Sequence, residues 1–181
     1  MINLDATQDE LKSGVAYISA AARGLIGGYV EGMYKNKNYV PQAKCFDAET
    51  QGYIVDFATI WTPKASDTTW GTAIVSLQKA MLMISDWCDF DESIYGYLTF
   101  CYDSETDQCS VTYMIGAVMK KIFQLTQVGT DLVQAISDGG FPTKKDTADV
   151  ITAFFRRIAV NGGKVLRYAT DFDPVKYPLT N

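Results

Sequence analysis

A row of small residues runs along the first predicted helix and restricts how that helix can pack. Ala16, Ala20, Gly24, Gly28 and Gly32 recur at every fourth position, and residues four apart lie on one face of an α-helix. Each glycine inside a helix costs about 1 kcal/mol relative to alanine, so close packing must offset roughly 3 kcal/mol. The row therefore predicts that a second helix backbone approaches this face closely.

The partner of this small-residue row is left open by the sequence. Small residues at this spacing are best known from helix contacts in membranes, but Arg23 and Glu31 interrupt the run, which disfavours a spanning helix. The simplest interpretation is an internal contact with another helix of the same chain. The alternative is an exposed interface for a protein partner or a second copy, and on that alternative the small-residue row is the candidate interface.

Helical spacing of apolar residues dominates the rest of the chain. The third predicted helix shows it well, with Trp70, Ile74, Leu77, Met81, Ile84 and Cys88 spaced 4-3-4-3-4, which is typical of a seam facing a neighbouring helix. No clear alternation of apolar and polar residues indicates a strand. We expect a single all-α domain over 1–181, an irregular bundle of five to six helices, with the tail from about 164 partly extended. The predicted helices cover about 7–35, 47–61, 66–88, 91–102, 105–137 and 146–161.

Two glycine sites are predicted to interrupt the later helices. The fifth helix carries apolar residues at 4-3 intervals, and Gly129 stands in one of these positions. Because Thr130 and Asp131 follow as plausible caps, we expect a bend or restart there. The sequence Asn161-Gly162-Gly163 is typical of a helix C-terminus that needs left-handed backbone, so we expect the sixth helix to stop at this point.

The four cysteines predict two disulfides. Cys45, Cys88, Cys101 and Cys109 match neither the CxxC spacing nor that of a four-cysteine zinc site. Cys45 follows the first helix and Cys88 ends the third, whereas Cys101 and Cys109 flank a short polar turn. Of the three possible pairings, we therefore predict Cys45–Cys88 and Cys101–Cys109, with no metal.

The compartment follows from the same cysteines. Two disulfides favour an oxidising environment, although the polar N-terminus carries no signal-peptide pattern. We expect a secreted or lumenal protein in its mature form, with a cytoplasmic protein holding free thiols as the alternative.

Composition disfavours most catalytic and nucleic-acid functions. The chain contains no histidine, which removes imidazole bases and most catalytic zinc sites. A formal charge of −5 argues against nucleic acid, and no motif indicates a cofactor. A hydrolase using paired carboxylates such as Asp89 and Asp91 is a minor alternative, because nothing selects these two carboxylates over others.

Aromatic and methionine side chains in the middle third indicate a second possible function. They predict a packed core or, as an alternative, a cavity for a lipid or other apolar ligand. The residues assigned to that cavity are Phe57, Trp61, Trp70, Met81, Trp87, Tyr97, Phe100 and Met114. Our leading hypothesis remains a non-enzymatic structural or assembly component that acts through protein–protein association, with the apolar-ligand carrier as the alternative.

Overall fold

The computed structural model describes residues 7–62, 70–103 and 107–179, apart from the side chains of 90–92 and 103. Over these residues the chain forms seven α-helices and no strand, which confirms the all-α prediction. The predicted start of the third helix at Ser66 or Asp67 lies outside the described residues. The helices are α1 Gln8–Tyr34, α2 Ala48–Thr59, α3 Trp70–Trp87, α4 Phe90–Asp103, α5 Val111–Lys120, α6 Ile122–Ser137 and α7 Ala148–Thr170.

Polar side chains cap three helices near the residues where the sequence predicted these helices to begin. Thr7 and Glu10 form a reciprocal capping box at the start of α1, and these hydrogen bonds lower the pKa of the Glu10 carboxyl. The Asp47 carboxylate accepts a hydrogen bond from the backbone N–H of Thr50 at 2.9 Å. Thr147 caps α7 in the same way. Each cap satisfies an amide that has no partner inside its helix.

The predicted fifth helix is two helices, and the predicted break at Gly129 is wrong. Helix α6 passes through Gly129 without interruption, and the break falls at Lys121, with φ −112° and ψ 22°. The Lys121 ammonium bonds the carboxylate of Asp171 beyond the end of α7, and Tyr113 donates to the same carboxylate at 2.8 Å. A tertiary ionic contact therefore accompanies the break, and this contact has no local sequence pattern. Because α5 and α6 are separate, the described residues form seven helices rather than the predicted five to six.

The predicted stop at 161–163 is also wrong, because α7 continues through both glycines to Thr170. A Cβ on Gly163 would lie 2.7 Å from the carbonyl oxygen of Tyr29. The glycine therefore permits a close helix contact instead of ending the helix. The actual end is Asp171, whose φ of 54° is left-handed, and the chain from 172 to 179 contains turns but no helix.

Helices α1 and α7 form the most extensive helix pair, and the other helices are arranged around it. Helix α2 packs on α1 and on α3, while α5 and α6 pack on α7 and α4 contacts α3. A core of buried aromatic rings lies near the C-terminal ends of α1 and α7. In it Phe172 stands edge-on to Phe100 at 5.1 Å and to Tyr34 at 5.2 Å between ring centroids.

Both predicted disulfides are confirmed. Cys45 and Cys88 are bonded and fully buried, and they join the segment before α2 to the end of α3. Cys101 and Cys109 are bonded and half-buried, and they pack against the aromatic core. The two bonds thereby fix α3 and α4 to the rest of the bundle.

Candidate functional site

Helix α7 covers the glycines of the small-residue row. A Cβ on Gly24 would lie 2.3 Å from the carbonyl oxygen of Thr152, and a Cβ on Gly28 would lie 2.2 Å from that of Arg156. Gly32 meets the α7 backbone equally closely, at 2.2 Å. These three buried glycines therefore make an internal helix contact. The alternative that they form an exposed interface is corrected, because α7 already covers them.

Hydrogen bonds hold the two backbones at this short distance. The hydroxyl of Thr152 donates to the carbonyl of Ala20 at 3.1 Å, and Arg167 donates to the carbonyl of Gly32 at 2.6 Å. Ala20 is buried against α7, whereas Ala16 is exposed. The row is therefore covered from residue 20 onwards, and only its first member faces solvent.

The eight residues assigned to an apolar-ligand cavity do not come together in one place. Phe57 and Trp61 line an open groove between α1 and α2, and Trp70 stands edge-on to Trp61 with 5.8 Å between ring centroids. Tyr97 and Phe100 belong instead to the packed aromatic core. The remaining three, Met81, Trp87 and Met114, lie on α3 and α5 outside both places.

The groove between α1 and α2 has a volume of about 950 Å³. Its walls are mainly apolar, and a few charged side chains lie at its rim, a composition typical of ligand clefts. The apolar lining residues are Leu11, Val15, Ile18, Ile54, Phe57 and Trp61. The charged residues are Asp9, Glu10 and Lys144.

Helix α3 buries a narrow side and exposes a wide apolar side. Ala73 and Ala80 are buried, whereas Ile74 and Met81 from the predicted seam are 47% and 62% exposed. The predicted internal seam is therefore only half covered, which corrects the expectation that a neighbouring helix fills it. We define the α3 face by its exposed apolar residues Trp70, Ile74, Val75, Met81 and Leu82.

A second exposed apolar surface follows α5 and α6. Small buried residues such as Ala117 and Ala135 face the bundle, while Phe123 is 88% exposed. We define the α5–α6 face by Val111, Ile115, Met119, Ile122, Phe123 and Val133. Helix α4 carries exposed side chains of its own, Tyr95, Leu98 and Tyr102, at positions that share one side of the helix.

The sequence pattern missed part of these surfaces. Val75 and Leu82 were not assigned to the α3 seam, although each follows a seam residue directly, Ile74 and Met81 respectively. Two adjacent apolar rows form a sector wider than one neighbouring helix covers. The width of this apolar sector is the sequence feature that could have predicted more apolar surface on α3 than the bundle buries.

Three tyrosines and one aspartate are titratable side chains that take part in the packing of the interior. Burial raises the pKa of Tyr34 to about 12 and also raises the pKa values of Tyr29 and Tyr97, so these phenols keep their protons at neutral pH. The carboxylate of Asp89 accepts hydrogen bonds from Tyr39 and Gln42, both at 2.9 Å. Asp89 thus links the segment after α1 to the end of α3, and the side chain of Asp91 lies outside the described residues.

No group of three or more His, Cys, Asp or Glu residues in the described part of the chain is arranged to hold a metal ion. Among the helices described, none combines the length and apolar character that crossing a membrane requires. Comparison of the chain with protein-family models, with curated proteins and with solved structures finds no match.

Proposed function

We propose that this protein works by association with other protein chains, as a non-enzymatic structural or assembly component. The observation that carries the proposal is the exposure of two apolar helix faces, the α3 face and the α5–α6 face. A helix that is apolar well beyond the side it buries is normally covered by further protein. Contiguous exposed apolar surface of this kind marks interaction sites in soluble proteins.

The size of the exposed side chains supports this proposal. An aromatic side chain has 150–250 Å² to bury, so Phe123 at 88% exposure presents roughly 150 Å² to solvent. Ile115 and Met119 of α5, which belong to the same α5–α6 face, are also exposed. Covering such side chains contributes about 25 cal/mol for each Å² removed from water, so association through these faces is favourable.

The two disulfides indicate an oxidising compartment. We propose that the protein is secreted or lumenal, because such bonds are rare in reducing compartments. The same bonds keep α3 and α4 in place, so the exposed faces form part of a rigid surface.

Sedimentation of the oxidised full chain at increasing concentration tests the association. We expect the weight-average mass to rise above 20.0 kDa, and we expect Ile115→Ser combined with Met119→Ser to reduce that rise. Val175→Ser is the control, because Val175 is an exposed apolar residue that lies in the tail after α7. A mass of 20.0 kDa at every concentration would contradict association between copies of this chain.

The groove between α1 and α2 favours a second candidate function, the carriage of an apolar ligand. Its volume of about 950 Å³ and its aromatic walls suit a single acyl chain. Titration with dodecanoate tests this, since Trp61 lines the groove and its fluorescence should change on binding. Phe57→Asp should weaken that binding at least tenfold, whereas Leu98→Asp on exposed α4 should not. An unchanged spectrum with the wild-type protein would remove this candidate.

A further inference from the structure

We propose that the α3 face binds the α3 face of a second copy of this chain, antiparallel, with a two-fold axis beside Gln78. This inference rests on the proposed function and names the partner for one of its two surfaces.

The four exposed apolar residues at the centre of α3 lie symmetrically about Gln78. Ile74 and Val75 precede Gln78 by four and three positions, and Met81 and Leu82 follow it by three and four. All five are exposed. An interface related by a two-fold axis must be self-complementary, because the same patch supplies both sides. A surface with this symmetry meets that condition.

The same residues also share one side of the helix. Successive residues of an α-helix are rotated by about 100°, so these four apolar residues all lie within about 60° of the direction of Gln78. Ala73 and Ala80 lie on the opposite side, where α3 packs on α2. The symmetric patch is therefore centred on the side of α3 that points away from the bundle.

Antiparallel pairing gives each side chain a matching neighbour. About a two-fold axis at Gln78, Ile74 of one copy faces Met81 of the other, and Val75 faces Leu82. The Gln78 amide both donates and accepts hydrogen bonds, so it suits a position opposite its own copy. The residues seven positions away on either side are small, Gly71 and Ser85, and they let the helix ends approach.

Charge favours a second copy over an oppositely charged partner. Each chain carries a formal charge of −5, so two copies repel unless they meet through an uncharged surface. The patch from Gly71 to Ser85 contains no charged residue within 60° of Gln78. Lys79 lies outside that sector, and its ammonium lies 5.2 Å from the ring centroid of Tyr53 on α2. Asp86 lies at the edge of the α3 face, eight residues after Gln78 as Trp70 lies eight before it. The centre of the face therefore lacks charges that would repel its own copy or attract an oppositely charged partner.

The available area predicts a reversible dimer. The side chains of the α3 face expose roughly 350 Å² per copy, taking about 200 Å² for a whole aromatic and about 100 Å² for a whole aliphatic side chain. Two copies therefore bury about 700 Å² of apolar surface, and homodimer interfaces are about 65% apolar, which gives an interface of about 1,100 Å². This lies just above the ~1,000 Å² expected of a specific contact.

Cross-linking at introduced thiols tests the direction of pairing. The variants are Gly71→Cys, Ser85→Cys and Gln78→Cys, each treated with a short bis-maleimide while the native disulfides stay oxidised. We expect Gln78→Cys to form linked dimers alone, and a mixture of Gly71→Cys with Ser85→Cys to form them. Each of those two alone should not, because antiparallel copies of one such site lie about 21 Å apart along the helix. Linked dimers from each single variant would indicate parallel pairing and overturn the inference.

Two equally polar double variants test the facing pairs. Val75→Asp with Leu82→Asp places like charges opposite each other, and should raise the dimer dissociation constant about a hundredfold. Val75→Lys with Leu82→Asp places opposite charges there and should retain most of the association. Because these positions are exposed in the single chain, we expect circular dichroism and denaturation midpoints to stay unchanged for both. Equal loss in both variants would contradict the facing pairs.

Sedimentation of the wild-type protein and the α3 variants distinguishes failure of the α3 pairing from failure of the proposed function. If the mass of the wild-type protein rises with concentration and the α3 variants do not change that rise, association stands and the α3 pairing is wrong. If the wild-type protein stays at 20.0 kDa throughout, the α3 pairing is wrong, and the proposed function then requires a different protein as the partner.

Discussion

Gly28 of α1 lies directly against the main-chain carbonyl of Arg156 in α7. A Cβ on Gly28 would be 2.2 Å from that oxygen and 2.7 Å from the Cβ of Ala159. The two backbones therefore meet with no room for a side chain between them. This contact, with its equivalents along α1, holds together the largest helix pair of the bundle.

Gly28→Ala should destabilise the protein although alanine is the better helix former. Overpacking of a tight contact typically costs 1–3 kcal/mol, and here the obstacle is backbone, so we expect a loss of roughly 3 kcal/mol in the free energy of unfolding. Gly129→Ala is the control, because no atom lies within 4 Å of its added Cβ, and it should gain up to about 1 kcal/mol. Urea unfolding followed by circular dichroism measures both, and equal effects would contradict the packing.

Neighbouring glycines of α7 should respond in opposite directions. A Cβ on Gly163 would meet the α1 backbone at 2.7 Å, whereas a Cβ on Gly162 meets nothing within 4 Å. We therefore expect Gly163→Ala to lower the thermal midpoint and Gly162→Ala to raise it, since removing an interior glycine contributes up to about 1 kcal/mol. Stabilisation by both changes would argue that α7 does not pack on α1 at this point.

The two disulfides should differ in contribution and in accessibility. Their sequence separations are 43 for Cys45–Cys88 and 8 for Cys101–Cys109, and loop entropy then gives about 4 and about 2.5 kcal/mol respectively. Replacing each pair by alanine and measuring unfolding tests this order. Because Cys45 and Cys88 are fully buried, graded dithiothreitol should reduce Cys101–Cys109 first, as followed by mass spectrometry after thiol alkylation. Earlier reduction of the buried pair would contradict the burial.

Stability should fall in alkaline solution because of the buried tyrosines. The ordinary tyrosine pKa is 10.0, and burial raises the pKa of Tyr34 to about 12. Between these values the unfolded chain releases the Tyr34 proton while the folded chain retains it, so the free energy of unfolding decreases as pH rises. Below pH 10 this contribution is fully present.

The variant Tyr34→Phe tests that assignment. It removes a hydrogen bond of 2.5 Å to the carbonyl of Ser93, so it should cost about 1 kcal/mol at neutral pH and make the alkaline decline shallower. Tyr102→Phe, at a 90% exposed side chain, should change neither. Denaturant unfolding at a series of pH values supplies the measurement, and an unchanged alkaline slope in Tyr34→Phe would contradict the assignment.

Local sequence predicted the helices best where a polar cap or a periodic apolar row marks them. Asp47 caps the helix predicted from about 47, and Thr147 caps the helix predicted from about 146, because a cap satisfies amides of its own first turn. Gly129 and Gly163 were misjudged, because a glycine has the same local character whether it ends a helix, lies free on a surface or allows a close contact. Only the neighbouring backbone distinguishes these cases.

For the candidate surfaces too, local spacing was predictable and tertiary packing was not. The spacing of Ile74 and Met81 predicted an apolar seam on α3, but not that the bundle would leave it exposed. Spacing defines the direction of a side chain around its own helix, whereas burial depends on which other helix reaches that side. The sequence therefore predicted the apolar row on α3 but not its exposure to solvent.

By itself the sequence predicted the helical character, where several helices begin, both cysteine pairings and the need for a close contact along Gly24, Gly28 and Gly32. The helices, their starts and the small-residue row follow from hydrogen bonds and spacing that are encoded locally, whereas the Cys45–Cys88 pairing, 43 residues apart, followed from the predicted order of the helices. The tertiary structure alone decided that α7 fills that contact and that the α3 and α5–α6 faces stay open. The physical reason is that apolar surface is attracted to any apolar surface without direction, so the choice of partner depends on the packing of the whole chain.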